Sequence, residues 1–292
     1  INNPITKESI KKLAQSNFEI VQSQVKELAC RDIGNGAMAD PEDIYHSTVR
    51  ELLQDSYWID RKVVLTGGGT IEKIDDVRYI SNFSSGKMAA NLATALYYKG
   101  ADVCLITTKD IEIPSQIHSI KVKNTNEMFE YVQSGLKMAK KGKIATTPLI
   151  SNIEMELVKK KPYFFSVAAV SDYIPAHQKD GKLKKDTLGK TWNLELKKNI
   201  DILESIDKKE IFTIGFKAEL DKMIAEKNAQ DMLINKKVSA VCLNIIDKEN
   251  NFGSNTNQID ILTDSEKVKL PKDTKLNVSM SIIQHFKDTF HE

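Results

Sequence analysis

Residues 62–107 read KVVLTGGGTIEKIDDVRYISNFSSGKMAANLATALYYKGADVCLIT, and their pattern decides the fold. Lys62 to Thr66 is a short apolar run of the kind that fills a buried strand, and it leads straight into Gly67, Gly68, Gly69 and Thr70. From about Gly86 a helical period sets in, with Met88, Leu92, Ala95 and Leu96 on one face and a stop at Gly100. Asp102 to Thr107 is a second apolar strand, which completes a strand–helix–strand unit.

Downstream the alternation continues. Strands are predicted at Ile117–Val122, Tyr163–Val170, Trp192–Leu196, Ile211–Phe216, Ala240–Asn244 and Gln258–Leu262, and helices at Thr125–Lys140, Leu220–Lys236 and Asn277–Phe290. Strands separated by helices argue for an α/β fold with a doubly wound, mostly parallel, Rossmann-like sheet. Upstream of residue 60 the pattern changes. Thr6 is placed to cap a helix through Phe18, Glu19 to Val21 is a short extended run, and a polar, glycine-bearing stretch covers Asp32 to Met38. Asp40, Pro41, Glu42 and Asp43 then make a helix start, with Tyr45, Val49, Leu52 and Leu53 as its apolar stripe. So few elements cannot enclose a core of their own. Residues 1–57 are therefore expected to be the end of a partner domain, and 58–292 one complete domain. The start at Ile1, with neither a methionine nor a signal-peptide pattern, reads as a cut end.

Composition narrows the function. The 292 residues carry 42 basic and 40 acidic side chains, a net charge of +2, so no global field draws the chain to nucleic acid or anionic lipid. No apolar run approaches the roughly 18 to 20 residues of a membrane span. Arginine occurs only as Arg31, Arg50, Arg61 and Arg78, leaving the positive charge to lysine. Cys30, Cys104 and Cys242 form no CxxC pair and read as the reduced thiols of a cytoplasmic protein. The histidines are too scattered for a zinc site.

Four stretches carry chemistry. Gly67 to Gly69 fits either a plain turn or a close backbone approach to phosphate, but matches neither GxGxxG nor GxxxxGK[ST]. The segment DDVRYISNFSSGKM, residues 75–88, gathers Arg78, Asn82, Ser84, Ser85 and Lys87 around a helix start, which suits an anion or a carboxylate. Beyond the strand that ends at Val170 and carries the small residues Ala168 and Ala169 come Asp172, placed to hold a ribose hydroxyl or a metal, and then Lys182, Lys184 and Lys185. Those lysines suit either solvated surface or a polyphosphate. NNFGSNTN, residues 250–257, is equally a substrate flap or a hairpin loop.

Taken in order, LTGGGTIEKIDDVRYISNFSSGKM, FSVAAVSDYIPA, KLKK at 182–185, KNIDIL, IGFKAEL and NFGSNTNQIDILT resemble the phosphopantothenate–cysteine ligases, the second half of bifunctional bacterial coenzyme A biosynthesis proteins. NNPITKESI and ELACRDIGNGAMADPEDI resemble the end of the partner flavoprotein, phosphopantothenoylcysteine decarboxylase. The resemblance implies a reaction in two steps. The carboxylate of 4′-phosphopantothenate attacks the α-phosphate of CTP, with Mg²⁺, to give an acyl-cytidylate and pyrophosphate; the amine of L-cysteine then displaces CMP. It assigns Asn82 to the intermediate, Lys182 to activation, and Cys30 to the decarboxylase as proton donor. It also matches Ser166, Val167, Ala168, Asp172, Ile200, Asp201, Ile202, Leu203, Phe216 and Lys236 to CTP contacts, Asp172 being the candidate carboxylate for nucleotide-borne Mg²⁺. Gly67, Gly68, Gly69, Arg78, Ser84, Ser85, Lys87, Phe252 and Gly253 fall to phosphate and substrate, and a homodimer through the ligase domain is implied.

The chain departs from the family pattern in several places. Ile200 stands for a proline, Lys217 for an alanine, Arg31 for a glycine and Met232 for a lysine, while Ile245 replaces the acid of an Asn-Asp pair. Residues 140–160 are longer than usual. The decarboxylase histidine and its amide-bearing MN motif lie upstream of this chain's first residue in the family, so neither decarboxylation nor stable FMN binding is expected of this chain alone. Two other readings compete: a nicotinamide-dependent oxidoreductase, and a non-catalytic nucleotide-binding or flavoprotein-assembly module. The first is opposed by the missing fingerprint and by Thr107 and Thr108, where a ribose-binding acid belongs.

Overall fold

A computed structural model describes residues 3–16, 18–27, 31–146, 155–184, 189–247, 251 and 253–290. Cys30, Lys185 and Phe252, all singled out above, lie outside the described residues, as does Asn250 at the start of the asparagine loop.

The centre is an eight-stranded sheet: β1 Lys62–Gly67, β2 Asp102–Thr107, β3 His118–Lys121, β4 Tyr163–Ser166, β5 Phe212–Glu219, β6 Ala240–Ile245, β7 Ile259–Leu262 and β8 Lys267–Lys269. Its order is β8-β7-β6-β5-β4-β1-β2-β3; the first six strands in sequence run parallel, β7 pairs antiparallel with β6, and β8 pairs antiparallel with β7. The α/β, doubly wound expectation is met. Strand order reverses between β1 and β4, the switch point where such sheets open a crevice. Register sets Thr66 beside Ser166, and Ser166 beside Gly215, so β1, β4 and β5 reach one edge together.

Among the described residues the helices are α1 Pro4–Gln15, α2 Pro41–Leu53, α3 Lys87–Tyr98, α4 Thr125–Ala139, α5 Ile202–Ser205, α6 Lys222–Asn235 and α7 Lys275–Thr289. Period-2 alternation in the strands feeds two cores. Val63, Leu65, Tyr163, Phe165 and Ile214 pack with Leu92 and Leu96 of α3 and Ile282 and Phe286 of α7. On the opposite face Val64, Ile106 and Phe164 pack with Met128 and Val132 of α4, Leu203 of α5 and Ala229 of α6. Burial on both faces is why β1 reads as one continuous apolar run.

Several expectations need correction. The α1 cap is Asn3, whose carboxamide accepts from Ile5 N, because Pro4 opens the helix before Thr6 is reached. Gln24–Glu27 and Ile33–Ala37 form a hairpin where a polar loop was expected. Asp40 occupies the N-cap of α2, yet its carboxylate binds Gln24 at 2.6 Å and Lys26 instead of a helix amide. The predicted α2 stripe is largely in solvent: Tyr45 and Leu52 are 59% and 78% exposed. Arg50 docks the helix instead, donating to the carbonyls of Tyr97, Gly100 and Ala101 at 2.5, 2.8 and 3.1 Å, at the negative end of α3. Trp192–Leu196 is not a sheet strand. Leu196–Lys198 pairs instead with Tyr173–Pro175 outside the main sheet. The DDVR segment, read for its chemistry, is the turn of a second hairpin, Ile71–Lys73 with Tyr79–Ser81.

Candidate functional site

Two neighbouring cavities open where β1, β4, β5 and β6 end. The larger, about 690 Å³, runs between the loop after β4 and the α5–α6 side; the smaller, about 190 Å³, lies toward α3 and α7. Ala168, Ala169, Phe216, Lys217 and Ala218 line both and form the partition. A cavity of several hundred Å³ with a few convergent polar groups is the size of a small-molecule site.

The larger cavity gathers Ser166, Ala168, Asp172, Ile200, Asp201, Ile202, Leu203, Phe216 and Lys236 from the predicted set. Val167 faces the smaller one. The Asp201 carboxylate caps α5 by accepting from Glu204 N at 2.9 Å and pairs with Lys236 Nζ at 2.5 Å. Burial pushes that carboxyl up, but the Lys236 ammonium and the Glu204 amide outweigh it and hold Asp201 below the ordinary value. The loop from Asn199 is held from beneath. Asn199 Nδ2 donates to Ser171 O at 2.7 Å and Thr125 Oγ1 at 2.9 Å, and the Thr125 hydroxyl donates to the buried Glu72 carboxylate at 2.6 Å. Asp172 is exposed at the rim, and no cluster of three potential metal-ligating side chains exists among the described residues.

The smaller cavity collects Gly68, Ser84, Ser85 and Gly253. Lys87 does not line it but reaches over to Gly253 O at 2.9 Å and Asn255 Oδ1 at 2.8 Å, so the asparagine loop is fastened to α3. Sequence reasoning missed Lys275, the first residue of α7, which lines the cavity and donates to Thr256 O at 2.8 Å. Burial and the nearby Lys87 charge push its amine below the ordinary lysine value. Only its place just after a cap-type threonine marked it, and that signal speaks of helix starts, not of sites.

Asn82 stands beside the partition. Its Nδ2 donates to Val170 O at 3.0 Å, on the wall of the larger cavity, while the next residue, Phe83, lines the smaller. Gly69 explains how Asn82 comes so close: a Cβ there would collide with the Asn82 carbonyl oxygen. Gly67 gives α3 room, its missing methyl lying 2.7 Å from Ala89 Cβ, and Gly68 takes a left-handed φ of 81° under Thr108. Thr108 Oγ1 donates to Gly69 O at 2.8 Å, so a hydroxyl occupies the place where an oxidoreductase would present its ribose acid. Gly67, Gly69, Arg78 and Lys182 line neither cavity. Arg78 binds protein instead, and Lys182 is exposed on a loop that Arg78 holds.

An open, mostly parallel sheet with paired cavities at the strand ends and lysines around them defines the class: a doubly wound α/β domain with a candidate small-molecule site at its switch point. Residues 58–147 and 137–289 match the family model of the DNA/pantothenate metabolism flavoprotein C-terminal domain, and the chain belongs to that family. Residues 1–53 match the flavoprotein family model. Coenzyme A biosynthesis bifunctional proteins CoaBC are similar over 97% of the chain, at 31% identity in Vibrio vulnificus and 32% in Bacillus subtilis. The chain spans 65% of the length of each of these two relatives. The crystal structure of a CoaBC C-terminal domain shares the fold, with TM-score 0.60 and 24% identity over 80% of this chain and 98% of that one. So does a Cab2 variant in complex with phosphopantothenate-cysteine, with TM-score 0.60 and 15% identity over 86% of this chain and 94% of that one. The resemblance drawn from the motifs is therefore confirmed at the level of family.

Proposed function

We propose that the chain is a CTP-dependent ligase that joins 4′-phosphopantothenate to L-cysteine in coenzyme A biosynthesis. The observation that carries this reading is the pair of cavities sharing one partition with Asn82 beside it. A nucleotide in the larger and an acid in the smaller would meet at Ala168 and Phe216. In the first step a carboxylate oxygen of the acid attacks the α-phosphorus, and the P–O bond to pyrophosphate breaks with its electron pair. In the second step the cysteine amine attacks the acyl carbon, the C–O bond to CMP breaks, and the amine gives up a proton. Neither step adds charge to the protein, so its task is orientation and charge neutralisation. Lys236, now paired with Asp201, Lys217 on the partition and Lys182 on its loop supply positive charge for the nucleotide; Lys275 and Lys87 do so for the phosphate of the acid.

Asp172 and Asp231 are exposed carboxylates of the larger cavity, and Mg²⁺ that arrives on a triphosphate keeps most of its waters and takes one or two protein oxygens. Asp172 would hold it, and when bound it would neutralise phosphate charge. Flavin chemistry, with FMN, is proposed for the complete bifunctional protein, through the segment that matches the flavoprotein family model. By family resemblance the ligase domain forms a homodimer, which sedimentation of the purified chain measures.

Pyrophosphate release with phosphopantothenate and CTP, ATP or NAD in turn tests the reading. Release is expected with CTP, falling at least tenfold in Lys182→Ala, while an acyl-cytidylate accumulates in Asn82→Asp. Absence of nucleotide-dependent release would sink it.

A further inference from the structure

The Asp75–Arg78 turn lies outside both cavities, yet it holds a densely bonded polar cluster close to Asn82. Asp75 is 2% exposed. Its Oδ1 accepts from Val77 N at 2.8 Å and Arg78 N at 2.7 Å, which closes the turn. Its Oδ2 accepts from Leu183 N at 3.2 Å and faces Arg78 Nη1 at 3.4 Å, and Arg78 Nη2 donates to Leu183 O at 3.0 Å. Both backbone groups of Leu183 are therefore taken by one ion pair. Two residues earlier in that loop the pattern repeats: Asp76 Oδ2 accepts from Gly181 N at 2.7 Å, and Asp76 N donates to Gly181 O at 3.3 Å. Lys182 is the residue between these two clamped neighbours. Strand Tyr79–Ser81 then joins the turn directly to Asn82.

A loop whose tip is exposed has no packing need for a buried carboxylate and a half-buried guanidinium beneath it, and burying a charge is unfavourable unless its bonds are made. An arginine fork is also the side chain able to hold a carbonyl and a carboxylate at once, and this one lies 5.3 Å over the Trp192 ring. Burial pushes the Asp75 carboxyl up, but the amides of Val77, Leu183 and Arg78 outweigh it and hold the group ionised, below its ordinary value.

We propose that Asp75 and Arg78 are positioning residues that clamp the backbone of Gly181 to Leu183, presenting Lys182 in fixed relation to Asn82. The role of Lys182 rests on the ligase reading; the clamp itself does not. Holding the loop in place before nucleotide arrives removes its ordering entropy from the reaction step.

The test uses Asp75→Asn and Arg78→Lys in the full chain, with two readouts. Amide hydrogen exchange at Gly181 to Leu183 should accelerate at least tenfold in both variants while β4 exchange stays unchanged. CTP-dependent pyrophosphate release should fall at least tenfold in Asp75→Asn, yet less than twofold when the same change is made in Lys182→Ala. Unchanged loop exchange overturns the clamp, as does an equal loss of activity with and without Lys182. If Asp75→Asn does not fold, Arg78→Lys, which keeps the charge and loses the fork, decides by the same two measurements. A wild-type chain that releases no pyrophosphate would defeat the ligase reading, and loop exchange would still decide the clamp.

Discussion

At the scale of single residues, two glycines with similar crowding have opposite expected tolerance. At Gly69 a Cβ would meet the backbone oxygen of Asn82, which cannot turn aside. At Gly215 the Cβ would come within 2.6 Å of Met232 Cε, the free end of an unbranched side chain. Gly69→Ala should therefore destabilise by about 1–3 kcal/mol and displace Asn82 from Val170. Gly215→Ala should stay within about 1 kcal/mol, because the thioether swings away. Urea melts of both variants, beside ligase turnover for Gly69→Ala, separate the cases; a harmless Gly69→Ala would contradict the packing argument. Nothing in GGGT itself distinguishes a glycine that accommodates a neighbouring loop from one that cradles phosphate, since both need only an absent side chain.

Elements were legible where one periodicity ruled them. β1, β2 and the body of α3 follow from apolar runs and a single helical stripe, because each is buried by neighbours along its whole length. The hairpin Ile71–Lys73 with Tyr79–Ser81 escaped because three-residue strands carry too little alternation to see. The larger-cavity residues after β4 and around KNIDIL were legible through resemblance, whereas Lys275 was hidden in an ordinary helix start. On α2 the stripe misled. Propensity finds an amphipathic helix, but tertiary bonding through Arg50 chose which face meets α3, leaving Tyr45 and Leu52 in solvent. If that is the anchor, Arg50→Ala leaves three carbonyls at the α3 end without their cation. Amide exchange in α2 should rise at least tenfold while exchange in β1 and β4 stays slow; an α2 that remains protected would show that Val49 packing suffices.

On the scale of the whole molecule, both faces of one sheet must be covered for either cavity to exist, and α7 closes the face that carries the most aromatic surface. Phe286 is fully buried against Tyr163 and Phe165, with ring centroids 6.4 and 6.0 Å away, and Lys287 Nζ ties the helix to Asp55 at 2.6 Å. Cys242 on β6 belongs to the same core. Burial raises its thiol pKa far above the ordinary range, and burial with the nearby Asp102 charge pushes Cys104 up to about 11. Because only the thiolate reacts, both cysteines should resist alkylation in the folded protein at pH 8, and labelling of Cys242 should report opening of the sheet. Truncating Phe286 to alanine removes a core ring, which costs about 3–5 kcal/mol. Where opening and closing are fast relative to reaction, the rate follows the open population, and each 1.4 kcal/mol is about tenfold. Alkylation at Cys242, located by peptide mass, should therefore accelerate at least a hundredfold in Phe286→Ala. Raising the pH toward 9 should speed labelling of the open state in wild type and variant alike, since the exposed thiol regains its ordinary pKa. A Cys242 that reacts at the wild-type rate in Phe286→Ala would mean that α7 is not what closes this face.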